Sequence, residues 1–322
     1  MRNLLKALKD GLLGYIIGDI LGVPAEFLTR EELDLNPVTG FRAYGTHNQP
    51  AFTWSDDTSV TLATFAAISK TLENYRDTDI LIKNPKILAK AIMEEMVLWF
   101  KEGKYSCHGT AFDIGFTTKS AIECYIKEKN TDTCGLGHEE DNGNGALMRM
   151  FPIALFLAFC NKPNYVLTGA SAREFYFISY ICGITHKHER SILACVIYIQ
   201  LILWLLRGAS LKTAMKMAYF GGCHVYNENA KKYHMAGNET RAYDYRIFMD
   251  IIYERYSRDK IRSTGYVVDT LEAVFWCLAI TSSYKDCVLE AVNLGGDTDT
   301  IAAIAGSAAG IYYGLKKNTG VN

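Results

Sequence analysis

Apolar positions recur along this chain at intervals of three and four residues, over 4–21, 59–72, 85–100, 117–127, 147–159, 172–182, 188–206, 211–218, 245–256, 267–280, 284–293 and 298–315. That spacing predicts helices, each with one face turned to a core. Strict alternation over more than four residues is almost absent, so no sheet can be assembled. The expected fold is all-α, a compact many-helix bundle. No linker rich in Pro, Gly or Ser interrupts the pattern and the six prolines are scattered, so a single domain over 1–322 is expected. The run ILACVIYIQLILWLL (192–206) contains Gln200 and falls short of the roughly twenty apolar residues that span a bilayer, which predicts a buried helix and no membrane partner. Charged Lys9, Asp10 and Asp19 break the N-terminal apolar stretch, which does not read as a signal peptide. The polar stretch 227–246 reads as a surface loop or lid.

Charge narrows the choice of partner. The formal net charge is −1 and basic residues form no stripe, so nucleic-acid binding by counterion release is not expected. A small or proteinaceous ligand fits better. The nine cysteines are odd in number and contain no Cys-x-x-Cys pair, which reads as reduced core thiols in a cytoplasmic protein. A monomer is the expected state.

Two helix starts carry more acid than a helix needs. In NLGGDTDTIAAIAGSAAG, Asp297, Asp299 and Thr300 open a helix whose Gly306, Gly310 and Gly314 fall four apart, a pattern that lets a neighbouring backbone approach closely. In TWSDDTSVTLATF, Ser55, Asp56, Asp57 and Thr58 open another apolar helix. One Asp or Thr suffices for a cap. Carboxylates and hydroxyls without nearby His or Cys are hard ligands, suited to Mg²⁺, Mn²⁺ or Ca²⁺. If the two starts face each other, about four carboxylates converge, and two cations roughly 3.5–4 Å apart would neutralise them. The segment GDILGVPAEF adds a third acidic element, Asp19 and Glu26, with a surface position as the default reading of Glu26. DNGNGALMRM and STGYVVDTLEAV read as glycine loops, the first with Arg149 as a phosphate partner or simply as a turn.

Seven segments in order, GYIIGDILGVPAEF, WSDDTSVTLATF, FDIGFTTKSAI, GNGALMRMFPIAL, ITHKHERSILACVIY, STGYVVDTLEAVFW and GGDTDTIAAIAGSAAGIYYG, resemble the ADP-ribosylglycohydrolase family, the relatives of dinitrogenase reductase-activating glycohydrolase. The resemblance implies an all-α fold, a pair of Mg²⁺ or Mn²⁺ ions, and removal of ADP-ribose from a modified side chain, with free ADP-ribose as product. It implies metal ligation by Ser55, Asp56, Asp57, Asp297, Asp299 and Thr300, Ser55 standing where most relatives have threonine. Glu26 matches a glutamate at the metals linked to catalysis and gating, and Asp56 or Glu26 is the general-base candidate. Asp113 matches a position near the departing side chain, where a carboxylate would pair with a guanidinium and favour arginine linkages. Asn144, Gly145, Met148 and Arg149 match a loop around the diphosphate and distal sugar, Thr185 and His186 a pair near the nucleotide, and Gly265 and Tyr266 a segment lining its cleft. The substrate is expected to be an ADP-ribosylated protein or small molecule.

Two other classes of function stay open at this point. One is a catalytically silent relative, an ADP-ribose-binding module or a crystallin-like structural protein, whose mark would be lost metal ligands; all six positions here keep an oxygen donor. The other is a binuclear phosphohydrolase, or a hydrolase of another ADP-ribosyl linkage such as serine O-linked.

Overall fold

The computed structural model describes residues 4–160, 172–230 and 247–315. Fifteen α-helices follow one another among them: α1 (Leu4–Gly22), α2 (Arg30–Leu35), α3 (Asp56–Asn74), α4 (Thr78–Lys83), α5 (Pro85–Glu102), α6 (Phe116–Glu128), α7 (Thr131–Cys134), α8 (Phe151–Cys160), α9 (Ala172–Gly183), α10 (Glu189–Leu206), α11 (Leu211–Ala230), α12 (Phe248–Ile252), α13 (Val267–Ile280), α14 (Tyr284–Asn293) and α15 (Thr298–Tyr313). No β-strand forms among the described residues, so the all-α expectation holds; isolated bridges join Tyr44 to Gln49 and Leu136 to His186.

Several boundaries differ from the periodicity. A 3-10 turn at Leu147–Met150 precedes α8, which starts at Phe151 with Pro152 in its first turn, where a missing N–H costs nothing. Residues 227–230 continue α11 instead of opening a loop, and 231–246 lie outside the described residues. Of the helix expected over 245–256, Phe248–Ile252 is observed, and 245–246 lie outside the described residues. The short helices α2, α4 and α7 escaped the periodic pattern because each is a single capped turn or two. Thr29 caps α2 through a capping box with Glu32. Helix α10 is long and apolar enough to cross a membrane, yet 83% of that window is buried within the protein.

The chain divides into two compact units, the first comprising Met1–Thr58, Trp204–Lys216 and Tyr245–Asn322, the second Ser59–Leu203 and Met217–Asp244. In the first unit α1 and α15 meet backbone to backbone. A Cβ added at Gly14, Gly18 or Gly22 would overlap the main chain of Gly306, Ala302 or Asp299, and one at Gly306 or Gly310 would overlap that of Gly14 or Asp10. The alanines of α15 supply helix propensity without bulk, and all its residues from Thr298 to Ile311 are buried. Gly314 is not part of that seam: at φ 74° it ends the helix. Around the seam, α13 is buried from Val267 to Leu278 and its Phe275 packs on Phe248 with ring centroids 4.6 Å apart.

In the second unit α5 buries Leu88, Ile92, Met96 and Trp99. Phe151 meets Phe65 edge-on at 6.3 Å, and Phe156 stacks on Phe177 at 5.6 Å. Glu95 on α5 is 4% exposed and is held by Lys70, Lys104 and Tyr105. Burial alone would raise its carboxyl, but the hydrogen bonds from Lys104, Lys70 and Tyr105 outweigh burial and lower it from 4.5 to about 2. A carboxylate depressed on folding stabilises the native state above its unfolded value and loses that effect as pH falls through the folded value. Glu95→Gln is therefore expected to melt below wild type at pH 7, with the gap closing between pH 4.5 and about 2. A calorimetric pH series showing a constant gap would contradict this account.

Candidate active site

The first unit places the acidic turns by locking main chains together. Thr298 Oγ1 donates to the Gly22 carbonyl at 2.8 Å, so α1 ends against the start of α15. Beyond Gly22 a 3-10 turn at Val23–Ala25 leads to Glu26. The Phe27 amide donates to the Gly296 carbonyl at 2.7 Å, and the Gly296 amide donates back to Leu28 at 2.9 Å. Gly295 and Gly296 hold φ 74° and 73°, a left-handed pair that glycine adopts without steric cost. The Asp297 amide donates to Ser263 O at 2.8 Å. Asp297 is thus fixed on one side by the segment after α1 and on the other by the segment before α13.

The result is an acidic cluster. Carboxylate oxygens of Glu26, Asp297 and Asp299 lie within 4.8 Å of one another, and all three residues are buried. Asp57 is tied to the same start of α15, since Thr300 Oγ1 donates to its Oδ2 at 3.0 Å. Ser55 Oγ stands 3.3 Å from that oxygen, and Tyr15 donates to the other from 3.4 Å. The two helix starts therefore do meet, through Asp57 and Thr300. Asp56 opens α3 beside them, 7% exposed. Gly265 faces the cluster, since a Cβ there would stand 3.2 Å from Asp297 Oδ2, while Tyr266 is half-buried at the start of α13.

Four residues hold this arrangement in ways the sequence does not indicate, Asp19 figuring there only as part of a third acidic segment. Asp19, fully buried on α1, accepts from the amides of Ser55 and Thr58, each at 2.9 Å, and so caps α3 from another helix. Burial raises its carboxyl to about 6 against the hydrogen bonds from Thr58 and Ser55. A signal exists, an acid set inside the apolar run of α1. Tyr15, one turn earlier on the same face, is the second. His47 pairs with the Glu26 carboxylate, and nothing in its polar loop marked it. Arg30 is the fourth. It donates to the carbonyls of Leu294 at 3.0 Å, Arg258 at 2.6 Å and Ile261 at 2.6 Å, bracing the segments on both sides of Asp297. Arg30→Gln is expected to weaken Mn²⁺ affinity about tenfold, as loss of a group orienting a ligand does. Titration calorimetry giving wild-type affinity would reduce Arg30 to a surface brace.

The remaining candidates lie in the second unit. Asp113 is half-buried in the segment before α6 with φ 59°. The Met148 amide donates to Asn144 O at 3.1 Å, closing the turn that carries Gly145, and Gly145 rests against Thr118 and His186. The Arg149 side chain is fully buried and donates to the carbonyls of Ile181 and Cys182 at 2.9 and 3.3 Å and to Thr185 Oγ1 at 2.9 Å. All three bonds come from Nη2 and tie the loop to the last turn of α9. Thr185 Oγ1 continues this network to His186 Nδ1 at 2.9 Å. Burial first, then the Arg149 charge, lowers His186 from 6.5 to about 3, so its imidazole is neutral at physiological pH.

An all-oxygen set of buried carboxylates and hydroxyls at two helix starts defines a helical protein whose centre suits a hard divalent cation. The family follows from the chain itself. The profile of the ADP-ribosylglycohydrolase family matches residues 2–317. The chain is 30% identical to ADP-ribosylarginine hydrolase Tri1 of Serratia proteamaculans, over 95% of this chain and 71% of that protein. It is 28% identical to the ADP-ribosyl-dinitrogen reductase glycohydrolase of Rhodospirillum rubrum, over 94% and 84%. A solved structure described as an ADP-ribosylglycohydrolase-related protein complex superposes with a TM-score of 0.69 at 23% identity, covering 100% of this chain and 92% of that one, which speaks for the fold. The chain belongs to the ADP-ribosylglycohydrolase family and is a hydrolase of the glycosidic linkage to ADP-ribose.

Proposed function

We propose that this protein releases ADP-ribose from a modified arginine side chain of a protein, with two Mg²⁺ or Mn²⁺ ions held by Ser55, Asp56, Asp57, Asp297, Asp299 and Thr300. The observation that carries the reading is the approach of the Glu26, Asp297 and Asp299 carboxylates within 4.8 Å in a buried site, with Asp57 linked to Thr300. Carboxylates so close in a partly dry site repel unless a cation sits among them. When bound, such cations supply fixed positive charge that seats vicinal sugar hydroxyls and acidifies water. Glu26, oriented by His47, takes the proton from the water that attacks the anomeric carbon; Asp56 is the alternative base. Asp113 pairs with the guanidinium of the departing arginine. The names of the Serratia and Rhodospirillum relatives support arginine-linked protein substrates.

The test is a panel of peptides mono-ADP-ribosylated on arginine or on serine, assayed after EDTA treatment with Mg²⁺ or Mn²⁺ restored. The expected outcome is free ADP-ribose from the arginine peptide, abolished by EDTA and recovered with either metal. Cleavage of serine peptides alone would move the linkage. AMP and ribose phosphate as products would replace the glycosidase reading with a phosphohydrolase. Full activity after chelation would remove the metals from the chemistry.

A further inference from the structure

Three aromatic residues of the first unit stand in water beside the acidic centre. Phe27, Tyr44 and Phe52 are 64%, 61% and 61% exposed. All three hold left-handed backbone, at φ 64°, 68° and 67°. Bulky side chains avoid that region, so a residue persists there only where its surroundings over-determine it. Here the surroundings belong to the site. The Phe27 amide is bound to Gly296 O at 2.7 Å, one residue before Asp297. Tyr44 precedes Gly45, where a Cβ would overlap the Pro24 carbonyl, and Thr46, whose hydroxyl donates to the Glu26 carbonyl at 2.5 Å. Phe52 lies three residues before Ser55 and packs on Phe41 with centroids 4.8 Å apart. The ring of Phe27 also stands 5.9 Å from that of His47, the partner of Glu26.

Neither burial nor local backbone preference accounts for three such rings, since each leaves apolar surface in water and adopts a disfavoured dihedral. Rigid aromatics exposed at a fixed place are the anchors that protein contacts use. We infer that Phe27, Tyr44 and Phe52 form an aromatic rim that docks the polypeptide flanking the modified side chain, through apolar residues next to it. An arginine whose sugar reaches the carboxylates brings its own main chain to the residues that border them, and Glu26 and Ser55 are bordered by this rim. This inference rests on the proposed arginine-linked activity.

The test compares three substrates: free ADP-ribosylarginine, a peptide with apolar residues on both sides of a mono-ADP-ribosylated arginine, and the same peptide with those residues changed to serine. The variants are Tyr44→Gly and Phe52→Gly, because glycine adopts the left-handed backbone freely and so keeps the fold. Wild type is expected to prefer the apolar-flanked peptide over the serine-flanked one about tenfold in KM, an amount one well-placed aromatic anchor supplies. Each variant should erase that preference while KM and kcat for ADP-ribosylarginine stay within about twofold. An equal rise in KM for all three substrates would assign the rings to the ADP-ribose site and overturn the inference. So would a preference that survives in both variants. If wild type cleaves none of the three, the arginine activity itself is wrong, a failure separable from the others by the wild-type assay alone.

Discussion

Asp299→Asn is expected to lower kcat/KM for an arginine-linked ADP-ribosyl peptide by on the order of a thousandfold, and to remove detectable Mn²⁺ binding at millimolar metal. Asp299 is 1% exposed, and its carboxylate both crowds Glu26 and Asp297 and accepts from the Thr300 amide at 2.9 Å. Asparagine has the same shape and keeps an acceptor for Thr300, so the turn survives. What changes is charge. With one of three crowded negative charges gone, repulsion in the metal-free protein falls, and the variant is expected to melt no lower than wild type. Activity lost together with stability held or gained is the signature of residues kept for function against the preference of the fold. A variant that binds Mn²⁺ with wild-type affinity in calorimetry would remove Asp299 from the ligand set.

Gly18→Ala carries the largest effect on folding. The new methyl would overlap the Ala302 carbonyl of the facing helix, a main-chain atom that no rotamer change can move aside. Helices α1 and α15 would have to part, and overpacking of this kind costs about 3 kcal/mol. Gly18→Leu is expected to leave no folded protein to purify. Guanidinium unfolding followed by circular dichroism measures the alanine variant, and a loss below about 0.5 kcal/mol would show that the seam can open without penalty. Parting the helices also displaces Asp299, because Gly22 abuts its main chain, so the alanine variant should bind Mn²⁺ more weakly than wild type.

Both acidic helix starts were legible in the sequence because paired acids before an apolar run exceed what capping needs. Their meeting was legible only as a condition, since nothing in Asp57 or Thr300 separately indicates a 3.0 Å contact across 243 residues of chain. The close-packed face of α15 showed in Gly306 and Gly310. Gly314 shared the spacing by coincidence, because a left-handed helix end also selects glycine and spacing cannot separate the two demands. Asp19 is visible as an acid in its segment but not as a cap, because it caps α3 from a different helix and sequence rules for caps reach only a few residues. The burial of Arg149 is hidden for a related reason. An arginine in a glycine loop reads as a phosphate ligand until its neighbours are known, and the carbonyls of Ile181 and Cys182 that enclose it lie over thirty residues away.

The pairing of α1 with α15 also dictates when the centre can come into being. A ribosome delivers residues 4–22 well before 298–313, so α1 waits through the synthesis of everything between them with its glycine stripe bare. Nascent intermediates expose that groove to chaperones or to each other, and any translation product halted before Thr298 carries Glu26 and Asp57 but lacks the Asp299 and Thr300 that complete the cluster.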